Sequence, residues 1–303
     1  MTSGLALPVL PGDALPLPTE AVAPLSSAVL AKLVRIEDAM RARGAVVVAY
    51  SGGVDSSLLA AVGMKVLGPW READRRGCLA VLADSATLAR DELTLARATA
   101  DALGVPLAEL SYSELSNPQW VANDGMRCYH CKKDLAGALE GFVRESGLDR
   151  SLVAFGITAS DLLDHRPGIT ATREADGWLP LVEAGVTKPE VRALARHLGV
   201  PVWDKPATPC LASRVQYGEG ITRDTLTRVE SAESAVRALG FRVLRVRHHG
   251  QLARIEVPAA ELARALALRQ DITAALRGCG YTFVTLDLVG FRSGAMNETL
   301  GLS

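Results

Sequence analysis

Apolar positions along this chain fall into two patterns: short unbroken runs, and stripes with a helical period. The runs AVVVA (45–49), CLAVLAD (78–84), PLAEL (near 106–110) and SLVAFGI (151–157) are short, continuous and bounded by polar or turn-forming residues. Strands covered on both faces read this way. Between the runs the period lengthens to that of a helix. Helices are predicted from about Ser27 to Arg43, through SSLLAAVGMKVLG with Gly68 as the stop, over 90–104 and around 132–145. Thr187 and Glu190 form a T-x-x-E capping box with Pro189 in the first turn, Val191, Leu194, Ala195 and Leu198 supply the buried stripe, and Gly199 ends that helix. A short strand is expected at VPVW (200–203). Strands alternating with helices predict an α/β fold, a doubly wound and mostly parallel sheet.

After about Ser213 the order changes. A helix over 222–239, apolar at Leu226, Val229, Val236 and Leu239 and stopped by Gly240, leads to strands near 241–248 and 252–257. A helix over 259–276 and a strand over 281–288 follow. This α-β-β-α-β order predicts a smaller C-terminal α+β domain. The expected division is a flexible tail over 1–26, a main domain over 27–213, and a substrate or oligomerisation domain over 214–303. The tail carries Pro8, Pro11, Pro16, Pro18 and Pro24, with no basic segment and no uninterrupted apolar core, so it does not read as a signal peptide.

Composition narrows the partners. Lys and Arg total 33 against 34 Asp and Glu, a net charge of -1, so no global basic excess exists to draw a nucleic acid from solution. No apolar run approaches the ~20 residues of a membrane span. A cytoplasmic protein without membrane or nucleic-acid partners is expected, assembling as a homo-oligomer. Five cysteines in 303 residues make no disulfide framework, so their placement carries the information.

The first strand leads into YSGGVDSS (50–57). Gly52 and Gly53 let backbone amides approach an anion closely, and the following helix adds its unpaired N–H groups and dipole. Ser51, Ser56 and Ser57 offer hydroxyls, and Asp55 is a carboxylate for a phosphate-bridging Mg²⁺. No Lys precedes the hydroxyl pair, so this is not a Walker A loop. It resembles the loop of the PP-loop ATP pyrophosphatases, which activate an acceptor by adenylation. Asp84 and Ser85, at the end of the second run, match positions where that superfamily holds the nucleotide.

RCYHCKKDL places Cys128 and Cys131 three positions apart, just before the helix predicted at 132, and DKPATPCLASR supplies Cys210. Arg127, Lys132 and Lys133 with a helix N-terminus are expected to lower the thiol pKa values. Spacing alone leaves three chemistries open: a zinc site completed by His130 or Cys78, a redox pair, or an iron–sulfur cluster with three protein ligands. Cys78, inside an apolar run, and Cys279, in RGCGY, read as packing or turn residues. Arg245 and Arg247 project to one face of a strand about 7 Å apart. Such a pair suits an anion carrying phosphate and carboxylates, the alternative being a solvated basic edge strand.

Taken together, YSGGVDSSLLA, LADSATLARDEL, NPQW, RCYHCKKDL, DLLDHRPGITATRE, PLVEAGVTKPEVRALARHLGVPVWDKPATPCLASR and RVRHHGQLARIEV, spanning about 45–257, resemble the LarE-type ATP-dependent sulfur transferases. The resemblance implies an adenine nucleotide alpha hydrolase-like fold. It implies an AMP- and pyrophosphate-forming reaction that turns a carboxylate of pyridinium-3,5-biscarboxylic acid mononucleotide into a thiocarboxylate, for the nickel-pincer nucleotide cofactor. The loop Ser51 to Ser57 would bind ATP with Mg²⁺ on Asp55. Ser213, Arg214, Arg245, Arg247 and Glu256 would hold the mononucleotide, with Glu230 or Glu233 as further candidates. Read as a residue alone, Trp120 either stacks on a ring or simply packs. Members with cysteines at the positions of Cys128, Cys131 and Cys210 resemble a type holding a [4Fe-4S] cluster fed by a sulfide source. Single-cysteine members sacrifice the cysteine at the position of Cys210, and a tRNA-thiolating PP-loop enzyme is the other alternative. One departure stands out: Thr158 and Ser160 replace an Asn and an Asp of the family pattern, leaving Asp161, and Pro209 adjoins Cys210.

Overall fold

The computed structural model describes residues 25–147, 153–163, 177–292 and 295. Outside them lie most of the expected tail, the start of the run at 151–157, residues 164–174 of the family resemblance and the last residues of the chain. Helix α1 (Ser27–Arg43) is capped by the Ser26 side chain, which accepts from Val29 N at 3.3 Å, and it stops at Gly44. There follow β1 (Ala45–Tyr50), α2 (Val54–Leu67), β2 (Gly77–Asp84), α3 (Arg90–Ala102), β3 (Leu107–Ser111), α4 (Arg127–Glu145), β4 (Val153–Phe155) and α5 (Lys188–His197). The strands pair in parallel in the order β3-β2-β1-β4.

Period-2 alternation along β1 explains its unbroken apolar run. Val46, Val48 and Tyr50 pack with Leu58, Leu59 and Val62 of α2 and with Val191 and Leu194 of α5. Val47 faces the other way, with Val81, Val153 and, from α4, Leu139 and Val143. Helices therefore cover both faces, and the sheet is doubly wound as expected. Strand addition proceeds from β1 through β2 to β3, then reverses to place β4 on the other side of β1. Ligands bind at the carboxyl ends of the strands where an open sheet reverses in this way.

The later part of the chain builds the smaller α+β unit: α6 (Arg223–Ala238), β5 (Arg245–His249), β6 (Leu252–Glu256), α7 (Leu262–Ala267), α8 (Arg269–Gly278) and β7 (Phe283–Leu286). The order is β5-β6-β7, with β5 and β6 antiparallel and β6 and β7 parallel. Val236, Phe241, Val246, Ile255 and Leu276 form its core. Another buried cluster joins Trp120, Leu211, Val215, Ile221, Leu226 and Val229. Among the described residues no helix is long and apolar enough to cross a membrane.

Three local expectations are corrected. VPVW forms a turn: Val200 and Val202 are buried against the main core but pair with no strand, so the apolar signal came from packing alone. The helix expected over 259–276 is broken into a 3₁₀ turn Ala259–Glu261, α7 and α8. Helix α4 begins at Arg127, which puts both cysteines of the CxxC inside its first turns.

Candidate active site

Beyond β1 the chain turns through Ser51, Gly52 and Gly53 into α2. Gly52 has φ +67°, and a Cβ there would lie 2.4 Å from Ala96 Cβ and 2.9 Å from Ala96 Cα. The loop backbone thus rests directly on α3. Ser56 Oγ accepts from Ser51 N at 3.1 Å and donates to Gly53 O at 3.2 Å, holding the turn closed, while Ser51 Oγ lies 3.2 Å from Ser56 Oγ. Ser57 is fully buried and donates to the Tyr50 hydroxyl at 3.4 Å. No side chain caps the first amides of α2. After β4, Gly156 closes the opposite wall: a Cβ there would sit 3.0 Å from Ser56 N and 3.1 Å from Asp55 Cβ.

Asp55 stands in the first turn of α2. One of its oxygens is paired with Lys188, and Oδ1 is buried with no partner among the described residues. Burial pushes the carboxyl above its ordinary range, Lys188 opposes the rise, and the charge of Asp161 adds to it. Asp161 Oδ2 accepts from Thr158 N at 2.9 Å and Thr158 Oγ1 at 2.7 Å, and Ser160 Oγ accepts from Lys188 N at 3.1 Å. The two residues that depart from the family pattern therefore shape the Asp161 turn and cap α5.

Lys188 was not singled out from the sequence. Its signal is a cation in the first turn of a capped helix, where the dipole disfavours it. The box itself is present: Glu190 Oε2 accepts from Thr187 N at 2.8 Å. Both Glu190 oxygens also hold Lys32 of α1, each at 2.7 Å.

At the end of β2, Asp84 pairs with Arg90 at 2.7 Å. Ser85 is buried; its hydroxyl lies 2.9 Å from Thr87 Oγ1 and donates to Glu114 at 3.1 Å. Thr87 O accepts from Leu211 N at 2.8 Å, which brings the β2 end against the segment carrying Cys210.

Cys128 and Cys210 are exposed and Cys131 is partly buried. Burial first, then the charge of Cys210, with Cys128 adding, pushes the Cys131 thiol up to about 12. The expected lowering of the thiol pKa does not hold at Cys131, because Lys132 opposes the rise but burial outweighs it. Arg127 is instead buried against Asn123 Oδ1 at 2.6 Å and Ala212 O at 3.0 Å. Among the described residues no three His, Cys, Asp or Glu side chains gather as a metal site would need, so neither the zinc nor the iron–sulfur reading gains support. Cys78 is fully buried in β2, where burial raises its thiol to about 12.

Next to Cys210 lies an arginine cluster. Arg214, 1% exposed, pairs with Glu233 through two bonds of 3.0 and 3.1 Å. Its Nη1 donates to Pro209 O at 2.5 Å, Cys210 O at 3.0 Å and Ser213 Oγ at 2.9 Å. Arg247 pairs with Glu256 at 2.9 and 2.7 Å and donates to Ser213 O at 2.9 Å. Among the described residues Arg245 has no carboxylate at ion-pair distance. It donates to Leu244 O at 2.7 Å and Ala207 O at 3.3 Å, and burial, then the Arg214 charge, lower its pKa to about 10. Arg245 and Arg247 are buried, so β5 is no solvated basic edge. Glu233 and Glu256 also each meet a further arginine, Arg237 at 3.1 Å and Arg254 at 3.2 Å, leaving the cluster richer in cations than in carboxylates. Glu230 lies apart, accepting from Arg90 N at 2.5 Å. Trp120 is 1% exposed in the core and presents no ring face to a ligand.

No family model matches the chain. Curated relatives do. The pyridinium-3,5-bisthiocarboxylic acid mononucleotide synthase of Lactiplantibacillus plantarum is 37% identical over 255 residues, 84% of this chain and 90% of that protein. An uncharacterised protein of Synechocystis is 40% identical over 258 residues, 84% of this chain and 92% of that protein. A tRNA-specific 2-thiouridylase, MnmA of Azorhizobium caulinodans, is 31% identical over 243 residues, 68% of this chain and 60% of that enzyme.

Proposed function

Given that the chain belongs to the LarE-type family of sulfur-transferring PP-loop enzymes, we infer that it adenylates a carboxylate of pyridinium-3,5-biscarboxylic acid mononucleotide and replaces it with a thiocarboxylate. The carboxylate oxygen attacks the α-phosphorus of ATP, pyrophosphate leaves, and a sulfur nucleophile at the Cys210 site then attacks the acyl carbon and displaces AMP. The mixed anhydride turns a poor acyl acceptor into a good one. The product is the precursor of a nickel-pincer nucleotide.

The observation that carries this reading is the orphaned Asp55 Oδ1 at the mouth of the anion loop. A buried carboxylate oxygen without a donor is costly, and Mg²⁺ binds through one or two carboxylates together with substrate phosphates. Asp55, with Asp161 near it, fits that donor set, and the metal would neutralise charge on the phosphates. The amides of Gly52, Gly53 and the start of α2 receive the phosphates, and Lys188, released from Asp55, supplies a cation to them. Ser213, Arg214, Arg245, Arg247 and Glu256 orient the mononucleotide, Arg245 offering the cation that no carboxylate already holds.

Cys128, Cys131 and Cys210 supply the thiol set. Among the described residues no three metal-ligating side chains gather, so the arrangement does not itself argue for a cluster; a [4Fe-4S] cluster, if bound, would be held by Cys128, Cys131 and Cys210 and would offer an open iron for sulfide. Cys210, exposed beside the arginine cluster, fits the role of a donor consumed in the reaction.

Cys210→Ala tests the assignment. Thiocarboxylate formation is expected to stop while substrate-dependent pyrophosphate release continues; undiminished thiocarboxylate would refute the role. Anaerobic isolation with about four irons per chain supports the cluster. A colourless chain that loses the mass of H₂S at Cys210 on turnover supports the sacrificial route.

A further inference from the structure

The chain from Pro206 to Cys210 is exposed and belongs to no helix or strand. Its path is set by the contacts that grip its two ends and by Arg245, which donates to Ala207 O at 3.3 Å between them. Downstream, Leu211 N donates to Thr87 O at 2.8 Å and Arg214 holds the carbonyls of Pro209 and Cys210. Upstream the grip is Lys205. Its side chain is 12% exposed, and its ammonium lies 2.6 Å from Glu92 Oε2 on α3 and 3.3 Å from the carbonyl of Gly52. The Lys205 carbonyl in turn accepts from Arg192 of α5 at 2.8 Å. One side chain thus joins the corner of the anion loop, the helix beneath it, and the start of the segment that carries the sulfur site.

A structural ion pair would be complete with Glu92 alone. The second contact, to the loop carbonyl, links Lys205 to the place where the acyl phosphate forms. Pro206 and Pro209 fix φ at two positions between Lys205 and Cys210, which limits how much of a shift at one end the backbone absorbs before it reaches the other.

We propose that Lys205 is a positioning residue that sets Cys210 at attacking distance from the acyl adenylate, so that sulfur transfer outruns hydrolysis of the activated carboxylate. The proposal rests on the reaction assigned above. It differs from nucleotide binding, because it concerns the step after adenylation. The Cys210 thiolate attacks the acyl carbon and AMP departs, then elimination of a Cα proton breaks the Cys210 Cβ–Sγ bond to free the thiocarboxylate and leave dehydroalanine. Otherwise water attacks the same acyl carbon and the carboxylate returns with AMP lost.

The test compares wild type with Lys205→Met, measuring AMP and thiocarboxylate in the same reactions with ATP and the biscarboxylic mononucleotide. Displacement of a reacting group by about 1 Å costs on the order of a hundredfold in rate. Thiocarboxylate formed per AMP is therefore expected to fall by about ten- to a hundredfold, with the KM for ATP unchanged, and Lys205→Arg is expected to recover part of the ratio. A wild-type ratio in Lys205→Met overturns the proposal. So does a raised KM for ATP with both products falling together, since Lys205 would then be a nucleotide ligand. If Lys205→Met fails to fold, Glu92→Gln, which removes the charge partner and leaves the Gly52 contact, is expected to lower the same ratio by a smaller factor; no change in that folded variant overturns the proposal. Wild-type protein that releases no pyrophosphate refutes the underlying reaction instead, a result visible before any variant is made.

Discussion

Gly52→Ala probes the closest approach in the phosphate loop. The residue sits at φ +67° with an added Cβ only 2.4 Å from Ala96 Cβ and 2.9 Å from Ala96 Cα. The left-handed backbone alone costs a non-glycine residue about 1–2 kcal/mol. Forcing a methyl into packed α3 adds about 1–3 kcal/mol, for a sum of about 2–5 kcal/mol. Ala96→Gly separates the two contributions. By itself it costs about 1 kcal/mol in helix propensity, yet in the double variant it removes the nearer contact while leaving the one to Cα. The pair should therefore be less destabilised than the sum of the single changes, by about 1–2 kcal/mol. Urea unfolding monitored by far-ultraviolet circular dichroism gives each value from the midpoint at constant slope. Gly52→Ala within about 0.5 kcal/mol of wild type, or strictly additive changes, would show that the loop does not rest on α3 as described.

Burial leads to two more expected outcomes. With iodoacetamide near neutral pH, Cys128 and Cys210 should be alkylated well before Cys131, whose thiol is raised to about 12; mass spectrometry of peptides from a time course reads the order, and equal rates would contradict it. Glu256→Gln should destabilise the fold by about 3–5 kcal/mol, because it strands a buried arginine. Replacing Arg247 by Met and Glu256 by Leu together should recover much of that loss in thermal melts. A neutral Glu256→Gln would mean that the bidentate pair contributes little.

Much of the main sheet was legible because strands covered on both faces must be apolar at every position, a pattern that β1 and β2 display. The start of α5 was legible for a different reason: a capping box is a local device, complete within four residues from Thr187 to Glu190. The phosphate loop combined both kinds of signal. The features that escaped acquire meaning only across the fold. Lys188 and Lys205 look like ordinary surface cations until α5 and the turn after it deliver them to Asp55 and Gly52. Gly156 reads as a strand-end glycine, and nothing local says that the first turn of α2 lies against it. The pairing of Arg247 with Glu256 was hidden for a further reason. Across β5 and β6 the residues directly opposite are Arg245 with Glu256 and Arg247 with Arg254, so the bidentate bond runs along a diagonal. The expected acidity of the CxxC came from counting neighbouring cations, whereas burial decides the Cys131 thiol.

Helix α1 lies outside every motif of the catalytic reading, yet its Lys32 fastens Glu190, 158 positions further on, and donates to Gly185 O at 2.6 Å as well. Glu190 anchors the very turn from which Lys188 reaches toward the anion pocket. The opening helix is in that sense a buttress for a distant ammonium, and the reacting end of the molecule extends electrostatically as far back as α1. Swapping or trimming that helix in an engineered relative would disturb phosphate chemistry while leaving every recognisable signature of the loop intact.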